Sequence, residues 1–197
     1  QQIRRGAVIR IVNTSSGWEI RQLPEVESAL VDMDPRTGAI KALIGGFDFA
    51  KNSFNRITQA YRQPGSSFKP FIYSAALEEG VMPNTLISDS PLTLDAGVTG
   101  GRAWSPKNYD GSNGPPLTMR QGLTKSKNLV SVRILQTVGT QKTQDWAVRF
   151  GFPAERTPPY LTMALGAGTV TPMELATGYA VFANGGHKIN PYIIALI

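Results

Sequence analysis

The sequence predicts a mixed α/β (α+β) chain, with short antiparallel strands first and a run of helices after them. Three observations carry this. Residues 26–44 hold two β-rich stretches around the turn-forming Pro35-Arg36-Thr37-Gly38, so they read as a hairpin. From Ser66 onward, apolar residues recur at helical spacing between start and stop signals. Apolar residues make up 41% and charged residues 17% of 197, which suits one packed domain, or one domain plus a fragment of another.

Taken in order, residues 7–12 and 18–23 read as strands separated by Asn13-Thr14-Ser15-Ser16-Gly17, and Pro24 breaks the second. The hairpin follows, closed by Gly45-Gly46, and residues 47–63 are irregular. Pro64-Gly65 makes a sharp turn, and a helix begins near Ser66 or Ser67. Its inward positions are Phe68, Phe71, Ile72, Ala75 and Ala76; Gly80 ends it. Pro70 is tolerated because it lies in the first turn, where its missing N–H had no partner to lose. Residues 81–117 are rich in Gly, Pro, Asp and Asn and predict a long loop, functional or disordered, with one short strand at most.

Thr118 and Gln121 form a capping box that starts a helix, interrupted by Ser126-Lys127-Asn128. Helices over 128–138 and 140–150 follow, divided by Gly139. After a Gly-rich stretch at 164–168, Thr171, Pro172 and Glu174 supply the cap, first-turn proline and reciprocal glutamate of a helix reaching about Asn184. A lone two-stranded hairpin is marginal, so its sheet needs completing by strands outside this chain or ones the pattern hides.

Cysteine is absent, which excludes thiolate metal sites, cysteine nucleophiles and disulfides. The one histidine, His187, lies in Asn-Gly-Gly-His and reads as an exposed turn rather than the base of a triad. The formal charge is +6, yet the basic residues are scattered and lack interleaved aromatics, so no nucleic acid is expected as partner. Apolar runs such as 193–197 are too short to cross a bilayer. The chain opens on Gln1 without a signal-peptide pattern and reads as a piece of a longer protein.

Two short patterns could carry chemistry. Ser66-Ser67-Phe68-Lys69 is the sole Ser-x-x-Lys, and positions three apart share a helix face. A serine at a helix start lies near free N–H groups and the positive dipole end, which favour the oxyanion formed when a carbonyl is attacked. Its neighbour must be a neutral lysine to take the proton; lowering that pKa by about three units costs about 4 kcal/mol, which burial or a nearby cation could supply. Spacing alone favours the plainer reading, a helix-capping serine beside a surface lysine. The second pattern is Ser126-Lys127-Asn128 at a break between helices, which fits a junction cap or a cleft-facing pair; Ser53-Phe54-Asn55 matches it too.

Ser-x-x-Lys followed by such a triplet is the signature of active-site serine acyltransferases that react with penicillin. The surrounding words are more specific. Arg-Gln-Pro-Gly-Ser-Ser-Phe-Lys-Pro (62–70), Val-Asp-Met-Asp-Pro-Arg-Thr-Gly-Ala-Ile-Lys-Ala-Leu-Ile-Gly-Gly (31–46) and Trp-Ser-Pro-Lys-Asn-Tyr (104–109) resemble class A (bifunctional) penicillin-binding proteins of the 1A type in Gram-negative bacteria. Residues 164–176 and 182–186 extend the match.

The resemblance implies a penicillin-binding transpeptidase or serine β-lactamase-like fold, an antiparallel sheet flanked by helices plus a helical subdomain. Residues 23–197 would be the N-terminal part of the transpeptidase domain, and 1–22 the exit of a small inserted β-rich domain or a linker. It also implies roles. Ser66 would attack the carbonyl of a peptidoglycan stem peptide ending in D-alanyl-D-alanine, and Lys69 would accept its proton. Ser126 would relay a proton to the leaving D-alanine, and Asn128 would hold the substrate amide and Lys69. β-Lactams would be covalent inhibitors at Ser66. No cofactor or metal is implied. The expected location is the periplasmic side of the inner membrane, anchored by a segment not present here, with a glycosyltransferase domain elsewhere in the same protein.

Two departures qualify this. The family's third motif, Lys-Thr-Gly, is missing; Lys142-Thr143-Gln144 lies within a predicted helix, so the chain is expected to need later strands of the same protein. No Glu-x-x-Leu-Asn is present to position a hydrolytic water, which favours a long-lived acyl adduct. The rival readings are a D-alanyl-D-alanine carboxypeptidase, a serine β-lactamase and a non-catalytic penicillin-binding sensor module.

Overall fold

The computed structural model describes residues 3–22, 25–99 and 102–195. Strands β1 (Arg10–Thr14) and β2 (Gly17–Arg21) pair antiparallel from Arg10↔Arg21 to Thr14↔Gly17. The first strand sits later than the expected 7–12. The turn is tighter than its sequence suggested: the Thr14 hydroxyl donates to the Gly17 carbonyl at 2.9 Å and accepts from the Ser16 N–H, leaving only Ser15 and Ser16 between the strands. Leu23 and Pro24, at the expected end of the second strand, lie outside the described residues, as do Leu196 and Ile197 of the apolar run.

Strands β3 (Leu30–Met33) and β4 (Ile40–Ile44) form the predicted hairpin, with a bulge between Asp32 and Met33. Asp34 shapes the turn, its carboxylate accepting from the Arg36 N–H at 2.8 Å. Gly38 must be glycine here. Its φ is +83°, and a Cβ would lie 2.4 Å from the Asn190 carbonyl oxygen, because residues 190–192 run alongside and bridge at Ala39 and Tyr192.

A one-turn helix α1 (Arg56–Gln59) comes next, and a 3₁₀ turn (Gly65–Phe68) leads into α2 (Lys69–Glu78). All five predicted inward residues of this segment are buried: Phe68, Phe71, Ile72, Ala75 and Ala76. The region 81–117 departs from expectation. It contains two strands, β5 (Leu86–Asp89) and β6 (Gly114–Thr118), paired antiparallel around a short helix α3 (Ala96–Thr99). Pro115 and Pro116 masked β6 in the sequence. They are accommodated because this strand pairs on one edge only, where two absent N–H donors leave few ladder bonds unmade.

Helices α4 (Met119–Thr124), α5 (Asn128–Val138), α6 (Thr140–Phe150) and α7 (Pro172–Ala183) lie where the caps and glycines predicted. Both capping boxes, Thr118 with Gln121 and Thr171 with Glu174, are closed in both directions. The core sits where α2, α5 and α6 meet, and aromatic rings dominate it. Phe71 is fully buried, with its ring centroid 4.7 Å from Phe152, 5.2 Å from Phe150 and 5.3 Å from Tyr179. Edge-to-face packing of this kind adds to simple area burial. The mixed class and the antiparallel pairing agree with the sequence. Among the described residues the strands form three separate pairs, with β3–β4 beside α7.

Candidate active site

The Ser66 turn is held from outside by tight packing. Gly166 presses on it so closely that a Cβ there would lie 2.2 Å from the Gly65 carbonyl oxygen. Arg62 and Val170 exchange both backbone hydrogen bonds at 3.0 Å, and the Tyr179 hydroxyl donates to the Ser67 carbonyl at 2.8 Å. Ser66 thus lies in the 3₁₀ turn before α2 rather than in the α-helix itself. Side chains three apart are eclipsed in a 3₁₀ turn, so Ser66 and Lys69 still face the same way.

Lys69 is 1% exposed, the one lysine in the buried set. Its ammonium has three donors and finds three acceptors: the Asn128 Oδ1 at 2.7 Å, the Ser126 carbonyl at 2.8 Å and the Ser126 Oγ at 3.1 Å. Burial pushes its pKa down to about 8. Burial alone supplies the shift; the second cation that the sequence allowed for contributes nothing. Ser66 itself is exposed, and among the described residues no hydrogen bond reaches its hydroxyl. The four predicted residues therefore assemble, but the amine is turned toward Ser126 and Asn128 rather than toward Ser66. Ser66, Ser126 and Asn128 line one cleft of about 310 Å³, with Tyr109 and Lys125 at its side.

Ser126 owes its position to the way α4 ends. The Lys127 N–H donates to the Gly122 carbonyl and the Ser126 N–H to the Leu123 carbonyl, both at 2.9 Å. This is a Schellman closure, whose left-handed residue is normally glycine. Here it is Ser126, at φ +51°, the one non-glycine residue with positive φ among the described residues. A side chain in that conformation costs roughly 1 kcal/mol. Backbone strain of this kind clusters at functional sites, and here it lies beside a buried amine.

The neighbouring charges separate sharply. Lys127 is opposed by its own burial, but Asp110 and Asp89 outweigh that and hold its pKa above the ordinary lysine range. Lys69, without an acid partner, moves the other way. A carbonyl compound entering the cleft would meet the Ser66 and Ser126 hydroxyls and the Asn128 carboxamide, with a readily neutralised amine bonded behind the last two; serine acyl transfer uses groups of these kinds.

The remaining candidates separate cleanly. Ser53-Phe54-Asn55 is a cap, with Asn55 Oδ1 accepting from the Ile57 N–H at 3.0 Å. His187 is exposed, and its hydrogen bonds go to Asn184. Lys142-Thr143-Gln144 lies in α6, where Lys142 pairs with Glu79 at 2.6 Å. A larger hollow of about 770 Å³ near α5 and β5 has Arg133 on its wall, bonded to the Ser88 and Pro91 carbonyls and Ser90 Oγ. Sequence reasoning passed over Asn108 and Asp89, both buried beside the Ser126 turn. Each sits among turn-forming residues, and nothing in its neighbours separates a buried network member from an exposed loop polar group.

Residues 28–197 match the family model described as the penicillin binding protein transpeptidase domain. Over 193 residues, 98% of this chain and 24% of the relative, the sequence is 50% identical to penicillin-binding protein 1A of Neisseria lactamica. It is 46% identical to that of Pseudomonas aeruginosa over 98% of this chain and 23% of the relative. The chain thus spans about a quarter of the length of the curated relatives it matches. The crystal structure of penicillin-binding protein 1A from Haemophilus influenzae superposes with TM-score 0.89 at 43% identity, covering 94% of this chain and 28% of that one. PonA1 from Mycobacterium tuberculosis in complex with penicillin V superposes at 0.72 with 28% identity, over 85% of this chain and 47% of that one. A match over most of the chain, close sequence relatives and a shared fold agree: the chain belongs to the penicillin-binding protein transpeptidase-domain family, on the side of its class A, 1A-type members.

Proposed function

We propose that this chain is the part of a peptidoglycan D,D-transpeptidase that carries its nucleophile. Ser66 attacks the carbonyl of a stem peptide ending in D-alanyl-D-alanine. Lys69, in its neutral form, takes the hydroxyl proton. Ser126 passes a proton to the departing D-alanine, and Asn128 holds the substrate amide and orients Lys69. An amine of a neighbouring stem peptide then receives the acyl group. β-Lactams mimic the donor and leave Ser66 acylated. The observation that carries this reading is the buried Lys69 amine, bonded to both Ser126 and Asn128 at the edge of the cleft that Ser66 lines. The complex of PonA1 with penicillin V supports β-lactams as ligands of this cleft.

In the intact protein, residues 1–22 leave a small inserted β-rich domain, later strands complete the sheet, and a glycosyltransferase domain and membrane anchor lie elsewhere. The active site works on the periplasmic face of the inner membrane. No helix among the described residues is long and apolar enough to cross a membrane.

The decisive experiment is labelling of the intact protein with a fluorescent penicillin. The parent is expected to label, and Ser66→Ala to abolish it; labelling that survives this substitution, or a parent that never labels, sinks the assignment. Product analysis on peptidoglycan peptides separates the enzymatic alternatives: cross-linked dimer indicates transpeptidation, trimmed monomer a carboxypeptidase, and opened β-lactam a β-lactamase.

A further inference from the structure

Asn108 is a loop residue that is only 5% exposed. Its carboxamide is saturated. Both N–H groups donate, to Asp89 Oδ1 at 2.7 Å and to the Ser112 carbonyl at 2.8 Å. Its oxygen accepts from the Asn128 N–H at 2.9 Å and the Leu129 N–H at 3.2 Å. These are the first N–H groups of α5, left open because Lys127 at the cap position offers no side-chain cap. Lys127 turns instead to Ser112 Oγ at 2.8 Å, Asp110 at 3.2 Å and Asp89 at 3.5 Å. The adjacent Lys107 carbonyl accepts from Asn128 Nδ2 at 2.8 Å, which aims Asn128 Oδ1 at the Lys69 amine. The amide of Asn108 has one workable orientation, since reversing it would set its NH₂ against the α5 N–H groups.

We infer that Asp89 and Asn108 form a positioning pair for acyl transfer: Asp89 fixes the Asn108 carboxamide, which caps α5 and holds Ser126 and Asn128 in register with Lys69. The inference rests on the reading of Ser66 and Lys69 given above. It goes beyond that reading by assigning the accuracy of the site to two residues with no bond-making role, Asn108 on the cleft wall and Asp89 behind it. Asp89 is 1% exposed, so its side chain serves partners in the interior, Asn108 and Lys127, rather than solvent. Misplacing a catalytic group by about 1 Å costs about a hundredfold in rate, which is the scale at which such a pair acts.

The test uses the intact protein and a chromogenic or fluorescent β-lactam, with the acylation rate constant resolved from reversible binding. Asn108→Asp keeps the size but sets two carboxylates against each other. It is expected to slow acylation by about 10–100-fold while reversible binding changes little. Exchanging the two groups, in Asp89→Asn with Asn108→Asp, restores an amide donor facing a carboxylate and keeps the charge, although the Ser112 carbonyl loses its donor. It is expected to recover part of the loss, acylating several-fold faster than Asn108→Asp alone. Thermal unfolding confirms that each variant is folded. If Asn108→Asp alone does not fold, Asp89→Asn, which keeps an acceptor for Asn108, is compared with Asp89→Leu, which removes it: acylation slowed about tenfold or more in the second only supports the pair, and equal acylation in the two overturns it. Parent-like acylation in Asn108→Asp, or an exchanged variant no faster than the single one, also overturns it. A parent that does not label, or a Ser66→Ala protein that still does, refutes the underlying reading instead.

Discussion

At the scale of single residues, Lys69 and Ser126 are each held in a state that costs stability and that the proposed acyl transfer would use. With its pKa lowered to about 8, Lys69 is roughly one-tenth neutral at pH 7 and half neutral at pH 8. β-Lactam acylation is therefore expected to rise close to tenfold per pH unit below that value and level off above it; a flat profile between pH 6 and 9 would exclude Lys69 as the base. The sign for stability follows from the same shift. Unfolding returns the lysine to its ordinary value of 10.5, so between about 8 and 10.5 the unfolded chain binds the extra proton. Lys69 thus destabilises the fold most below pH 8, by about 3 kcal/mol, and this cost fades as pH rises toward 10.5. Denaturant titrations should show Lys69→Met gaining stability over the parent at pH 7 and losing most of that advantage at pH 10. Ser126 makes the parallel case in the backbone. Ser126→Gly relieves the left-handed strain and is expected to raise stability by about 1 kcal/mol in denaturant titrations, while acylation falls because Lys69 loses one hydroxyl partner. The letters of Ser66, Lys69, Ser126 and Asn128 were legible. The direction of the Lys69 amine was not, because it depends on which oxygens are buried with it.

At the scale of elements, the helices could be read from their ends. Thr118 with Gln121 and Thr171 with Glu174 are local signals, complete within four residues, and both appear as written. Thr171→Ala is expected to lower stability by about 1 kcal/mol, measured by thermal or denaturant unfolding. The segment 161–168 is different. In the sequence it reads only as Gly-rich, whereas Gly166 is pressed on the Ser66 turn with φ +68°. Gly166→Ala forces the Gly65 backbone to move and is expected to cut acylation by about 10–100-fold beyond any change in melting temperature. An acylation rate equal to the parent's would show that the turn tolerates the shift. Strands β5 and β6 escaped detection for a related reason. Their pairing is between residues about 30 apart, and two prolines erased the alternation that would have signalled β6.

At the scale of the whole molecule, the buried apolar cluster draws on residues from Phe68 to Val181 and on nothing in β1 or β2. Deleting residues 1–22 is accordingly expected to leave the thermal midpoint within a few degrees of the parent; a large drop would mean that the first hairpin belongs to the same cooperative unit. Leu30 and Ile44 face each other across β3–β4 and both remain about half exposed. The match to the transpeptidase family spans residues 28–197.

The order of helices, their caps and the inward face of α2 were determined by the sequence alone, because each depends on residues within about one or two turns of one another; the candidate side chains were named by short words that resemble the family's. What only the tertiary structure decided is long-range. It buried Lys69 and so lowered its pKa, placed Ser126 at the one strained turn, pressed Gly166 on the Ser66 backbone and brought Asp89 and Asn108 under α5. These outcomes depend on desolvation and on hydrogen bonds between segments some 20 to 100 residues apart, and no local pattern encodes such distances.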